Sequence, residues 1–273
     1  IYAEITQILK AAGKTVTEFA GIMSNPTYAK VQEGAQLARD RQVDFILAVG
    51  GGSVVDCCKV ISAQAVLDED IWSMEYQQGK FPTAGIPMGA VVTASGTGAE
   101  MNAGAVITCE DKNWKGPIVG SAAQFAILDP AYTASVPAMQ VLSGAFDTLS
   151  HAMETYLGQS DRDNVSDDVA LAVMRNTVVN MRRLLTDIND MQARGNLMWD
   201  SAMAENGILK VALYLPDHLR LDGDNPAYEV FLDKKKRQFL TYDYLDKKWR
   251  DAKLDRLEWP GQDYDAVCWV STG

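Results

Sequence analysis

The sequence predicts an α/β unit with a parallel sheet, followed by an all-helical unit and a tail of short strands. Three observations carry this. Short apolar runs, suited to buried strands, alternate with helical stretches up to about residue 136. From Pro137 the strand-like runs stop, and residues 139–157, 165–187 and 191–209 carry helical periodicity. Beyond Lys210 that period ends and aromatics such as Phe239, Tyr242, Tyr244 and Trp249 take over.

Residues 1–12 predict a helix stopping near Gly13, and the alternation of Thr15–Phe19 predicts a short strand. Thr27–Arg41 predicts a helix with Val31, Ala35 and Ala38 on one face. Phe45–Val49 (FILAV) suits a buried parallel strand, broken by Gly50-Gly51-Gly52. Ser53 then opens a helix with Val54, Cys58, Ile61 and Ala65 at helical spacing. Thr83–Thr93, Ala105–Cys109 and Ala126–Leu128 predict further strands of the same sheet. In the tail, Tyr228–Leu232 and Gln238–Tyr242 predict strands. The expected units are 1–136, 137–210 and 211–273, the last α+β-like in character.

The chain has 273 residues, 47% of them hydrophobic, enough for a sizeable core. Its 36 acidic residues against 25 basic ones give a net charge of −11, which argues against nucleic acid and anionic membrane as partners. No apolar run is long enough to span a bilayer. The four cysteines, Cys57, Cys58, Cys109 and Cys268, have no zinc-site spacing and suit free thiols in a reducing cytoplasm.

Three constellations carry chemistry. In the first, Gly51, Gly52 and Ser53 lie between a strand and a helix, with Asp56 one turn on. Glycines let backbone approach a ligand closely, and the helix start offers unpaired amides to a phosphate. Ser53 can cap the helix or donate its hydroxyl to that phosphate. The plain alternative is an ordinary tight βα turn, for which three glycines are more than is needed. The pattern departs from GxGxxG, the usual dinucleotide fingerprint.

In the second, Thr93-Ala94-Ser95-Gly96-Thr97-Gly98 follows a strand end, where ligands of α/β sheets gather. Asn102 and Lys115 follow closely and suit contacts to ribose or phosphate. The plain alternative is a flexible surface connection. In the third, Asp147 and His151 stand four apart on a helix, on one face. A carboxylate and an imidazole there suit a divalent metal such as Fe(II) or Zn(II), or simply a surface hydrogen bond.

Taken in order, ILAVGGGSVVDCCK, TASGTGAEMNAGAVIT, AILDPAYTASVP and GAFDTLSHAMETYL resemble the iron-containing alcohol dehydrogenases, most closely their NADPH-dependent butanol dehydrogenase and aldehyde reductase branch. GIMSNPTYAK at 21–30 is similar to that branch too, and FDTLSHAME is the most diagnostic run. The resemblance covers about residues 1–210.

It implies an α/β dinucleotide-binding domain and a helical metal-binding domain, both shortened here, with the tail 211–273 unmatched. It implies NADP or NAD as coenzyme, Fe(II) or Zn(II) as metal, a primary alcohol or aldehyde such as butanol or butanal as substrate, and a homodimer. By the same resemblance, Gly51, Gly52 and Ser53 hold the pyrophosphate and Asp56 supports their turn. Thr93, Thr97, Asn102 and Lys115 line the coenzyme site, with Asn25 at its adenosine end. Asp147 and His151 are the first two metal ligands and the catalytic pair. The family's two further ligands are histidines on later helices. No matching motif follows Lys210, and His218, in LPDHLRL, is not in such a setting. A non-catalytic nucleotide-binding chain, or a fusion whose tail mediates an interaction, is the alternative.

Overall fold

A computed structural model describes residues 1–158 and 165–204, together with the backbone of 230–233, 238–243 and 248–252. Helix α1 spans Tyr2–Ala11 and ends before Gly13, as its sequence predicts. Helix α2 spans Tyr28–Asp40, and the Thr27 hydroxyl caps it by accepting the Lys30 amide at 3.3 Å. Its face of Val31, Ala35 and Ala38 is buried.

Strand β1 (Ile46–Gly50) leads through the glycine turn into α3 (Gly52–Gln64), which carries apolar residues on every side. Val55, Cys57, Cys58, Val60, Ile61 and Ala63 are all buried, so α3 lies at the centre of the fold. Each such large aliphatic side chain withdrawn from water contributes about 1.5–3 kcal/mol. Helix α4 (Ile71–Tyr76) is capped by Asp70, and strand β2 (Met88–Val92) is buried throughout. Strands β1, β2 and β5 (Ala126–Ile127) form a parallel sheet in the order β1-β2-β5.

Three expectations are corrected. Thr15–Phe19 is no strand: it pairs with nothing in any sheet of the described residues, and Phe19 instead packs on the core around Val31 and Ile61. Thr83–Pro87 lies outside β2 as well. Ala105–Cys109 does form a strand, β3 (Gly104–Cys109), but not in the parallel sheet. It pairs antiparallel with β4 (Trp114–Val119), a strand the sequence did not predict. Asn113, at φ 47°, takes the left-handed turn that joins the two. The hairpin packs on α3 through Ala105, Ile107 and Ile118.

From Ala138 to Ala204 the described structure is helical: α5 (Ala138–Gly158), α6 (Val165–Thr186) and α7 (Met191–Ala202). Val141, Ala145, Met181, Leu184, Ala193 and Leu197 form their shared core. No described helix is long and apolar enough to cross a membrane. In the tail, β6 (Val230–Asp233), β7 (Gln238–Asp243) and β8 (Lys248–Ala252) make an antiparallel meander. The first two match expected strands and the third was not expected. His218 lies outside the described residues.

Candidate active site

The glycine turn is built for close approach. Gly51 is the N-cap of α3 and no side chain caps the helix, so of the two roles open to Ser53 it does not take the cap and lies in the first turn. A phosphate is the natural partner for helix amides left in this way. The cradle is tight: a Cβ on Gly52 would lie 3.1 Å from Thr97 Oγ1, and one on Gly51 3.5 Å from the Ala94 methyl. Thr97 therefore stands over the glycines, and the first two constellations meet in one place. Thr93 joins them by donating its amide to Gly50 O at 3.0 Å.

The Thr/Gly loop is not a loose connection. The Gly96 amide donates to Ser201 Oγ on α7 at 2.9 Å, and Thr148 Oγ1 on α5 donates to Gly96 O at 2.9 Å. Gly98 has φ 64°, in the left-handed region, and a Cβ there would fall 2.3 Å from Ser201 O, so only glycine fits. On its far side the loop reaches the third constellation: a Cβ on Gly96 would lie 3.4 Å from Asp147 Oδ2.

Asp147 Oδ1 is 3.7 Å from His151 Nε2, and Glu154 Oε2 is 3.9 Å from His151 Nδ1. Asp147 is half exposed and His151 less so. Among the described residues no group of three or more His, Cys, Asp or Glu side chains could hold a metal ion. Asp147 and His151 are thus two donors, short of the three or more that a catalytic metal site keeps.

Asn25 and Lys115 come together, Lys115 Nζ donating to Asn25 Oδ1 at 2.8 Å. Asn25 is held at φ 56°, and Pro26 O accepts the Thr108 amide at 2.9 Å, which stitches this turn to β3. Asp56 braces the hairpin more than the glycine turn: its Oδ2 accepts the Val106 amide at 3.0 Å. Burial raises its pKa, and the neighbouring Lys59 and that amide oppose the rise.

Lys59 itself was missed. It is completely buried, and its ammonium donates to Asp56 Oδ1 at 3.3 Å, Asn102 Oδ1 at 2.7 Å and Gly104 O at 2.6 Å. The signal was present: on a helix apolar on every face, a lysine has no solvent side to occupy.

A parallel α/β sheet thus carries a strand–glycine–helix turn, and the loop over that turn is clamped to a helix bearing Asp147 and His151. Comparison with known proteins makes this specific. Residues 1–130 match the model of the iron-containing alcohol dehydrogenases, and residues 141–214 match the C-terminal model of the same family. NADH-dependent butanol dehydrogenase A of Clostridium acetobutylicum is 36% identical over 213 residues, 77% of this chain and 54% of that protein. The NADPH-dependent aldehyde reductase YqhD of Escherichia coli is 36% identical over 210 residues, 75% of this chain and 54% of that protein. The solved structure of an NADH-dependent butanol dehydrogenase A from Thermotoga maritima superposes with a TM-score of 0.72 at 34% identity, covering 77% of this chain and 53% of the other. The chain belongs to the iron-containing alcohol dehydrogenase family. It spans about half the length of the curated relatives it matches.

Proposed function

We propose that this chain binds a nicotinamide dinucleotide, NADP or NAD, and serves the metal-dependent interconversion of primary alcohols and aldehydes, with butanol and butanal as the model pair. The observation that carries the reading is the double contact of the Thr/Gly loop. Thr97 lies over Gly52 on one side and Gly96 lies beside Asp147 on the other. A coenzyme seated on the glycine turn would therefore end next to the helix that bears Asp147 and His151.

Each residue has a role in this reading. Gly51, Gly52 and Ser53 take the pyrophosphate on backbone amides and a hydroxyl. Thr93, Thr97 and Asn102 orient the coenzyme, while Lys115 and Asn25 approach its more distant part. Asp147 and His151 would be the first two ligands of an Fe(II) or Zn(II) ion, which would polarise a carbonyl and stabilise an alkoxide there. The protein's part in hydride transfer is placement of the two carbon centres. A small alcohol or aldehyde is the only partner this requires; the homodimer and the cytoplasmic setting remain proposals of family likeness.

The two metal donors favour a second reading, a nucleotide-binding chain without turnover. One experiment separates the two. The purified chain is titrated with NADPH and NADH by coenzyme fluorescence, its metal is measured by mass spectrometry after dialysis, and coenzyme oxidation is followed with butanal and added Fe(II) or Zn(II). Coenzyme binding with metal lost on dialysis and no turnover would establish the second reading in place of the first. One metal retained per chain with steady turnover would mean that a further ligand completes the shell, and His151→Ala and His218→Ala would identify the histidines involved. No binding of either coenzyme would refute both readings.

A further inference from the structure

We infer that Lys59 is a positioning residue for the coenzyme: it fixes the Asn102 carboxamide so that Nδ2 is presented as a hydrogen-bond donor to a coenzyme oxygen. The inference rests on the coenzyme reading above and adds to it the group that sets the polarity of the site.

An ammonium has three donors and no acceptor. Lys59 places its three on Asp56 Oδ1, Asn102 Oδ1 and Gly104 O. A side-chain amide can present its oxygen or its nitrogen to a neighbour, and the neighbour's chemistry decides. Facing a donor-only group 2.7 Å away, Asn102 must turn its oxygen to Lys59 and its Nδ2 the other way. That Nδ2 has no acceptor among the described residues, and Asn102 is only half-buried.

The placement fits a ligand contact. Asn102 closes the short turn Ala99–Met101, and the Ala99 methyl lies 3.8 Å from where a Gly52 Cβ would be. Glu100 on that turn is buried, and burial raises its pKa while the Lys59 charge opposes the rise. Lys59 thus joins α3, the turn after the Thr/Gly loop and the first residue of β3 through one buried cation. A bare helix N-terminus can hold any anion. A carboxamide locked with its donor outward donates only to an acceptor at one place, which suits the carbonyl, hydroxyl or phosphoryl oxygens of a dinucleotide.

The test is a set of coenzyme titrations read beside thermal melting, on the parent, Lys59→Met, Asn102→Ala and the double variant. Coenzyme affinity is expected to fall about tenfold in each single variant, the scale of one lost hydrogen bond, and no further in the double variant, because Lys59 acts through Asn102. A role in packing alone would lower the melting temperature of Lys59→Met and leave the dissociation constant at the parent value, which would overturn the inference. Additive losses in the double variant would overturn it too. Should Lys59→Met not fold, Lys59→Met combined with Asp56→Asn removes both charges together and is compared with Asp56→Asn alone. Here an equal affinity in the two proteins would overturn the inference, and a further tenfold loss would support it. Failure of the parent to bind NADPH or NADH is a different outcome: it refutes the coenzyme reading and removes this inference with it.

Discussion

The sheet region and the helical region of this chain handle their polar and apolar groups in opposite ways. Around α3 everything is enclosed. Its apolar side chains are covered on all sides, and even its buried lysine has each donor matched. On α5 and α6, by contrast, Met139, Phe146 and Met153, and Leu171, Val178 and Leu185, stand exposed at seven-residue spacing, with Met139 77% exposed. Such spacing keeps side chains on one stripe of a helix. The proposed coenzyme half of the site is therefore set by a core complete in itself. The proposed metal half stands on a helix whose outer face is bare, and it offers two donors among the described residues. Coenzyme binding should accordingly be the more robust of the two properties.

The most severe way to break this contrast is Gly52→Val. The first added carbon would already lie 3.1 Å from Thr97 Oγ1, and the two further methyls would fill the space a pyrophosphate needs. Valine is tolerated in a helix at a cost of well under about 1 kcal/mol, so folding should survive. Coenzyme affinity should drop on the order of a hundredfold or more, about 3 kcal/mol. Fluorescence titration checks this; a variant that melts like the parent and binds like it would remove the phosphate cradle from the glycine turn.

How much of this was legible depends on the kind of cue. The strand–glycine–helix turn could be read because a strand, three glycines and a helix each leave a local mark. The pairing of Asp147 with His151 could be read because helical spacing alone puts them on one face. The contact of Thr97 with Gly52 and the clamp on Gly96 could not, since they join residues tens to about a hundred positions apart and leave no periodicity. Thr15–Phe19 alternates like a strand yet finds no partner, which shows that pairing and not pattern makes a strand. The β3–β4 hairpin was misassigned because six residues of mixed burial look the same in a parallel or an antiparallel ladder. Lys59 was passed over because a lysine in mid-helix is usually solvated.

A broader effect tests the enclosure of the sheet region. Glu75 on α4 is buried, and both its oxygens accept the Val119 amide at 3.1 Å. Burial pushes its pKa up from 4.5 to about 8, and the amide only partly opposes this. An acid whose pKa is raised by folding adds stability that is full below about 4.5 and is lost as pH rises through about 8. The chain should therefore melt several degrees lower at pH 9 than at pH 6. Glu75→Gln keeps an acceptor for Val119 without the charge and should flatten part of that slope. An unchanged slope in differential scanning fluorimetry would mean that water reaches Glu75 and the region is less closed than its burial implies.

The smallest expected effect sharpens the link between the two regions. Gly96 is gripped from both sides of its peptide, by Ser201 Oγ at its amide and by Thr148 Oγ1 at its carbonyl. Thr148 also shares its hydroxyl with Gly144 O at 3.0 Å, so it retains a use within α5 whatever the loop does. Ser201→Ala leaves the Gly96 amide without its acceptor, whereas Thr148→Val removes a donor that a carbonyl can replace with water. Each should cost about 1 kcal/mol of stability, with Ser201→Ala the larger. Because both hold one residue, the double variant should cost less than the sum. If the clamp also presents Thr97 to the coenzyme, affinity should weaken a few-fold in the double variant, with melting temperature down by only a few degrees. Unchanged affinity alongside the lower melting temperature would show that the helices steady the loop without shaping the site, and the coenzyme half would then be independent of α5 and α7.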